Sequence, residues 1–520
     1  MKRIYFALFL LTFSFTINAQ VQNLYAMSKG NLVYSKIIHD DNNSLWGYFY
    51  LYKLDSFGDS NKMEYIVLDR NLNNLTSGTY HVVEYNPLGA SYYFKNYENC
   101  HLVGDKLLLD MTMYRSSSSG LTHVHNSHLI ISLKLNTVSN EYLFIDNQFD
   151  LVPHNPIKRS NRLDSLRNKT LIDPVYGSGK SGLLLRSWNM TNNVNERNVR
   201  FYSLDREFMW EYTFDNQARK MKSTMNKTYN TIDYLFMDSV NIYFKERTID
   251  NGKYKSSKLI GLDLNTGKKT LDYPIDSVNS ETYHQSYMKQ IGDTIAIFGR
   301  YFDNPELKKS KYYKGYYRIL LDKNCIEINR KYQTWKDISN DKISITEESK
   351  INNTRSSFVL SSVFMFNDGS FSFVGQEYKR RSDALAALYG LSLGILNFDK
   401  AYSKDLFFFN FDKNFEFSNS ERIEMNKVYK DNNMLFTQYH YNNMAAIVCH
   451  SNKKGKEHNN EYELVINTIK NNTLHTERIP ITSKKNYVII PRPAKDGYIM
   501  LNEYNTNEKY NQIRLEKLNY

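Results

Sequence analysis

An all-β fold assembled from a serial repeat is what this sequence predicts, on three observations. Tyr, Phe and Trp number 42, 29 and 4 among 520 residues, 14% of the chain, and such rings favour strands. A turn containing Asp, Asn or Gly, followed at once by an alternating apolar strand, recurs eight times. Between its copies lies a second unit, two alternating segments joined by a tight polar turn, which is hairpin chemistry. With 41% hydrophobic and 23% charged residues, the composition excludes an intrinsically disordered chain and a polytopic helical membrane protein.

The elements follow in order. Lys2 and Arg3 precede an apolar run from Tyr5 to Phe15 that ends near Ala19, the layout of a cleavable secretory leader. The run is broken by Thr12 and Ser14 and falls short of the ~20 apolar residues of a membrane anchor. Residues 1–19 are therefore expected to be removed, the mature chain starting at Gln20 in the periplasm or outside the cell. The formal charge of +12 becomes +10 without Lys2 and Arg3. Export sets aside an intracellular nucleic-acid role for this basic balance. Cys100, Cys325 and Cys449 cannot build a disulfide scaffold, so they are expected to be small buried side chains.

The turn-and-strand units begin at Gly30, Gly104, Gly182, Asp238, Gly292, Asp368, Asn443 and Gly497, at a mean spacing of about 67 residues. Tight turns follow the first seven near Asp69, Asn136, Asp205, Asp263, Asp322, Asp412 and Asn471. Each repeat reads as a leading turn, an inner strand, a variable loop, a middle strand, a tight turn and an outer strand, with a further strand in the segment before the next unit. Four-stranded antiparallel units cannot bury both faces alone, and repetition covers them radially or in stacks. A single β-propeller of seven or eight four-stranded blades over 20–520 is the expected architecture, with tandem β-sandwich domains as the alternative. The eighth unit stops without an outer strand; Val21 to Met27 stands unpartnered before the first, and pairing the two closes the ring.

LIGLDLNTGKK, from Leu259 to Lys269, resembles the strand, turn and strand of a blade in secreted bacterial β-propeller repeat proteins. The resemblance spans most of the mature chain and implies radially arranged blades. The β rhythm breaks at 376–400, a hydrophobic insertion with the Ala and Leu density of a helix. There Ser382 is placed to cap a run rich in Ala and Leu, which either tucks against the ring or faces a partner.

Four chemical patterns lack their required context. Gly390 to Gly394 matches a nucleophile elbow but has no parallel α/β sheet around Ser392. Gly177 to Ser181 imitates a phosphate loop, yet Pro174 stands where Gly is needed. His123, His125 and His128 have no defined fourth metal ligand. Asp69, Asn71 and Asn73 open like a calcium loop that ends on Tyr80 in place of Glu. No catalytic residue, metal or cofactor is assigned. In a propeller the inner-to-middle loops share one rim, which would gather Lys308, Lys309, Lys311, Tyr312, Tyr313, Lys314 and Tyr316 with Lys379, Arg380, Arg381, Lys453, Lys454 and Lys456. Cations beside exposed rings suit an acidic glycan or an envelope protein. The expected function is non-catalytic binding by a monomer; a polysaccharide hydrolase or lyase with a channel site, and a structural envelope component, are the alternatives.

Overall fold

The computed structural model describes residues 21–40, 44–57, 60–83, 92–117, 120–145, 148–151, 171–175, 182–190, 194–218, 228–250, 253–276, 282–302, 313–339, 343–346, 350–351, 357–381, 400–424, 428–429, 436–440, 444–454, 461–482, 487–505 and 507–518. Its strands form eight antiparallel sheets. Blade 1 holds Asn31–His39, Leu45–Phe57, Ser60–Asp69 and Asn74–Val83. Blades 2 to 7 follow over 92–151, 171–218, 228–274, 283–334, 357–429 and 436–482. Blade 8 takes Val488–Pro493, Tyr498–Asn505 and Tyr510–Lys517, and its outer strand is Val21–Asn23. Val21, Gln22 and Asn23 pair with Arg514, Ile513 and Gln512. The chain is thus an eight-bladed propeller closed by its N-terminal strand.

Where the apolar residues go explains why the ring holds. A middle strand in such a ring has a neighbouring sheet on each face, and its side chains alternate between them. Leu107 and Leu109 accordingly pack between blades 1 and 2, and Leu108 between blades 2 and 3. Phe407, Phe409 and Phe411 face blade 5, while Leu406 and Phe408 face blade 7. Among the described residues the buried apolar side chains form eight clusters, one in each seam, including Leu45, Tyr52 and Leu68 of blade 1 with Met500 and Leu515 of blade 8. Stacked sandwiches would leave terminal faces uncovered; a cluster in the seam from blade 8 to blade 1 rules them out. The abundant rings fill these seams. Tyr316, Trp335, Phe358, Phe373 and Phe409 interlock between blades 5 and 6 at centroid separations from 4.1 to 6.4 Å.

The tight turns join third to fourth strands, and each also latches onto the preceding blade. Asp69, Asp322 and Asp412 accept backbone N–H groups two and four residues on at 2.7 to 2.9 Å. This satisfies the turn and lets Leu72, Cys325 and Phe415 adopt φ of +67°, +57° and +65°. All three are buried, Leu72 against blade 8, Cys325 against blade 4 and Phe415 against blade 5. The turn of blade 2 reaches back through Asn136 to Tyr65 at 2.7 Å, and that of blade 3 through Arg206 to His128 at 3.3 Å. In blade 4 the Leu264 carbonyl accepts the Trp210 indole N–H at 3.0 Å; in blade 7 the Asn472 carbonyl accepts from Asn419 at 2.8 Å. Blade 8 has no such turn, and Leu518 packs against blade 7 in its place.

Four expectations need adjustment. Gly30 precedes the first strand of blade 1; the strand equivalent to the other leading strands is Leu45–Phe57. The closing strand ends at Asn23, whose side chain accepts the Tyr25 N–H at 3.1 Å and starts a one-turn helix, Leu24–Met27. Blade 2 carries an added hairpin, Tyr142–Ile145 and Gln148–Leu151. The insertion expected at 376–400 begins later, since Phe371–Arg381 and Lys400–Phe411 are strands; residues 382–399, like 1–20, lie outside the described residues.

Candidate functional site

Because every blade has the same strand order, the loops that leave second strands emerge on one rim. The second strand of blade 6 ends on Lys379, Arg380 and Arg381, paired with Tyr402, Ala401 and Lys400. That of blade 7 ends on Lys453 and Lys454, paired with Tyr462 and Glu461. Two adjacent blades therefore bring five of the expected cations to the same edge of the ring, with Lys400 beside them. Lys308, Lys309, Lys311, Tyr312 and Lys456 lie outside the described residues.

Two of the expected rings, Tyr313 and Tyr316, do not join this edge. Tyr313 and Tyr316 are fully buried in the seam between blades 5 and 6. Tyr313 donates its hydroxyl to the Phe358 carbonyl at 2.8 Å and packs on Trp335; Tyr316 stacks on Phe373 at 4.1 Å. Lys314 is half-buried, and its N–H donates to the Tyr301 carbonyl. The seam needed large rings, and these two Tyr side chains fill it. What remains of the aromatic part of the expected site is core.

Of the three histidines, His128 alone has a described side chain. His128 is buried on the seam with blade 3, its Nε2 3.3 Å from the Arg206 Nε and its ring edge-on to Phe149. Burial, and then the Arg206 charge, pushes its pKa down to about 3, so the ring is neutral and accepts from Arg206. Cys100, Cys325 and Cys449 are buried and unbridged, as the sequence suggests.

One polar cluster escaped the sequence reading. Asp276, after the last strand of blade 4, holds His284 Nδ1 of blade 5 and accepts from Tyr254 and from Ser257 Oγ, the latter at 2.8 Å. His284 Nε2 meets the Tyr332 hydroxyl at 3.1 Å. A carboxylate orienting a histidine is the pairing that general-base chemistry uses. Here both side chains are closed from solvent, at 0% and 2% exposure, and Tyr332 stands on the outermost strand of its blade, away from the central channel. The cluster instead satisfies polar groups buried in the seam between blades 4 and 5. No local motif announces it: its members come from three strands and a turn.

A model of the family described as a family of unknown function, DUF6770, matches residues 167–448, just over half of the chain. No curated protein matches the sequence. Among solved structures the chain is similar to the WD40 domain of SCAP from fission yeast, at 8% identity and TM-score 0.39, over 96% of this chain and 94% of that one. It is similar to polysaccharide lyase Uly1 at 10% identity and TM-score 0.38, over 81% and 89% of the two chains. It is also similar to the β-propeller domain of the Trilobed protease from Pyrococcus furiosus, at 9% identity and TM-score 0.32, over 82% and 96%.

Proposed function

The chain belongs to the DUF6770 family, and we propose that it is an exported binding protein that engages a polyanion, such as an acidic glycan, through the cationic edge of blades 6 and 7, without catalysis. The observation that carries the reading is the placement of Lys379, Arg380 and Arg381 beside Lys453 and Lys454 on neighbouring second strands of one rim. Cations repeated along an edge match charges repeated along a polymer, and such binding is screened by salt over ~8 Å at physiological ionic strength. Export rests on the leader-like residues 1–19 and would place the rim in the periplasm or outside the cell.

The test passes the mature chain over immobilised acidic and neutral glycans at low and high salt. Retention on acidic glycans alone, lost at high salt and abolished by charge reversal at Lys379, Arg381 and Lys453, is the expected result. Equal retention on neutral glycans, or an unchanged profile in the reversed variant, removes the proposal. Sequencing the N-terminus of the exported protein checks the leader, with Gln20 as the expected first residue.

A further inference from the structure

A second place on the molecule, independent of the rim, has the makings of a small-molecule site. At the seam where the ring closes, a cavity of about 400 Å³ lies between blades 8 and 1, within the size range of pockets for small organic ligands. Leu24, Met500 and Ile513 line it and are buried, together with the rings of Tyr48 and Tyr50. Arg492, Ser35 and His39 line it as well, and among the described residues no carboxylate does. Ser35, His39 and Arg492 are exposed, so the cavity opens to water beside them.

Two unfilled valences point to a ligand. The Tyr48 hydroxyl is buried and has no hydrogen-bond partner, and buried hydroxyls ordinarily have one. Arg492 forms no ion pair with a described residue, whereas the Lys36 ammonium is turned away to Asn99 of blade 2 at 3.1 Å. Burial holds both phenols above their ordinary pKa, leaving Tyr48 and Tyr50 as neutral donors. We infer that the cavity binds a small amphipathic carboxylate, its apolar body among Leu24, Met500 and Ile513 and its carboxylate held by Arg492. A planar guanidinium grips a carboxylate bidentately. The apolar lining requires a hydrocarbon body that an inorganic anion lacks.

Calorimetric titration of the full mature chain with decanoate, decanol, decylammonium and inorganic phosphate tests the assignment. Decanoate binds saturably at one site, decanol about tenfold or more weaker for want of the charge-assisted bonds, and decylammonium and phosphate do not bind. Arg492→Met, at an exposed position, lowers decanoate affinity about tenfold or more while leaving the melting temperature of the free protein unchanged; Tyr48→Phe, which removes the unpartnered hydroxyl, lowers it as a second, independent variant. The rim charge reversals leave decanoate binding intact, which separates this site from the polyanion edge. Absence of decanoate binding, equal affinity for decanol, or indifference to both Arg492→Met and Tyr48→Phe overturns the inference.

Discussion

Removing Val21–Asn23, so that the chain starts at Leu24, isolates the closing strand from the rest of the ring. The truncation deletes three residue pairs of antiparallel ladder with 512–514, the Gln22 side-chain bond to the Leu72 carbonyl at 3.0 Å and the Asn23 cap on the helical turn. At about 1 kcal/mol net per hydrogen bond, the loss is roughly 3 to 4 kcal/mol. Unfolding entropy of about 2.1 cal/mol/K per residue gives about 1 kcal/mol/K for ~500 residues, so the melting temperature falls by roughly 3 to 4 °C. The third strand of blade 8, Tyr510–Lys517, also becomes an unpaired edge, which promotes self-association. Circular dichroism melts and light scattering compare chains starting at Gln20 and at Leu24. An unchanged melting temperature together with an unchanged mass would show that the ring does not depend on this strand, and the account of closure would fail.

Trp210→Phe removes the indole donor of the blade 3 to blade 4 latch and strands the Leu264 carbonyl in the core; urea unfolding should show a loss of about 1 to 3 kcal/mol. His450 is buried with both ring nitrogens unpartnered, and burial lowers its pKa to about 4. Its folded pKa lies below the unfolded value of about 6.5, so the unfolded chain binds more protons, and stability present above about pH 6.5 is lost as pH falls through about 4. His450→Met should therefore flatten the decline between pH 7.5 and 4.5 and, by removing two orphaned groups, raise stability at pH 7.5 by about 1 kcal/mol, both read from denaturant midpoints.

How much of this was legible in the sequence follows from how local each feature is. The tight turns announce themselves because Asp69, Asp322 and Asp412 satisfy their own neighbours' N–H groups; a few residues suffice to recognise them. The strand count and the closing strand followed from those turns. The first unit was misaligned because Gly30 supplies the same turn chemistry ahead of an innermost strand, before the Asp40 to Asn43 run that precedes Leu45–Phe57 offers it again. The side of a strand on which a ring ends up is a different matter. Tyr313 and Tyr316 look like loop residues beside lysines, yet they are consumed by Phe358, Phe373 and Trp335, the Tyr316–Phe373 pair being 57 residues apart in sequence. The cationic edge was legible as charge, and its rings were not, because burial in a seam is decided by the neighbouring blade.

The closing seam shows how stability and a binding site draw on the same shortage of chain. Blades 1 and 7 finish with outer strands of ten residues each, Asn74–Val83 and Thr473–Thr482, whereas blade 8 finishes with three residues and a single helical turn. Blade 8 also lacks the turn that elsewhere plugs the seam behind it. The turn of blade 1 compensates, sending Leu72 into the closing seam and Asn71 to Lys495 at 2.6 Å, and the Tyr52 hydroxyl pins the Leu24 carbonyl at 2.9 Å. These contacts hold the seam shut without filling it, and the unfilled part is the cavity lined by Leu24, Tyr48 and Arg492. A ligand seated there touches both ends of the chain, so it must also stabilise the ring. Decanoate at saturating concentration should raise the melting temperature of the intact chain, and it should raise that of the chain starting at Leu24 by more, because in the shortened protein ring closure leans harder on the occupied cavity. An equal shift in the two proteins would mean that the cavity and the closing strand are uncoupled.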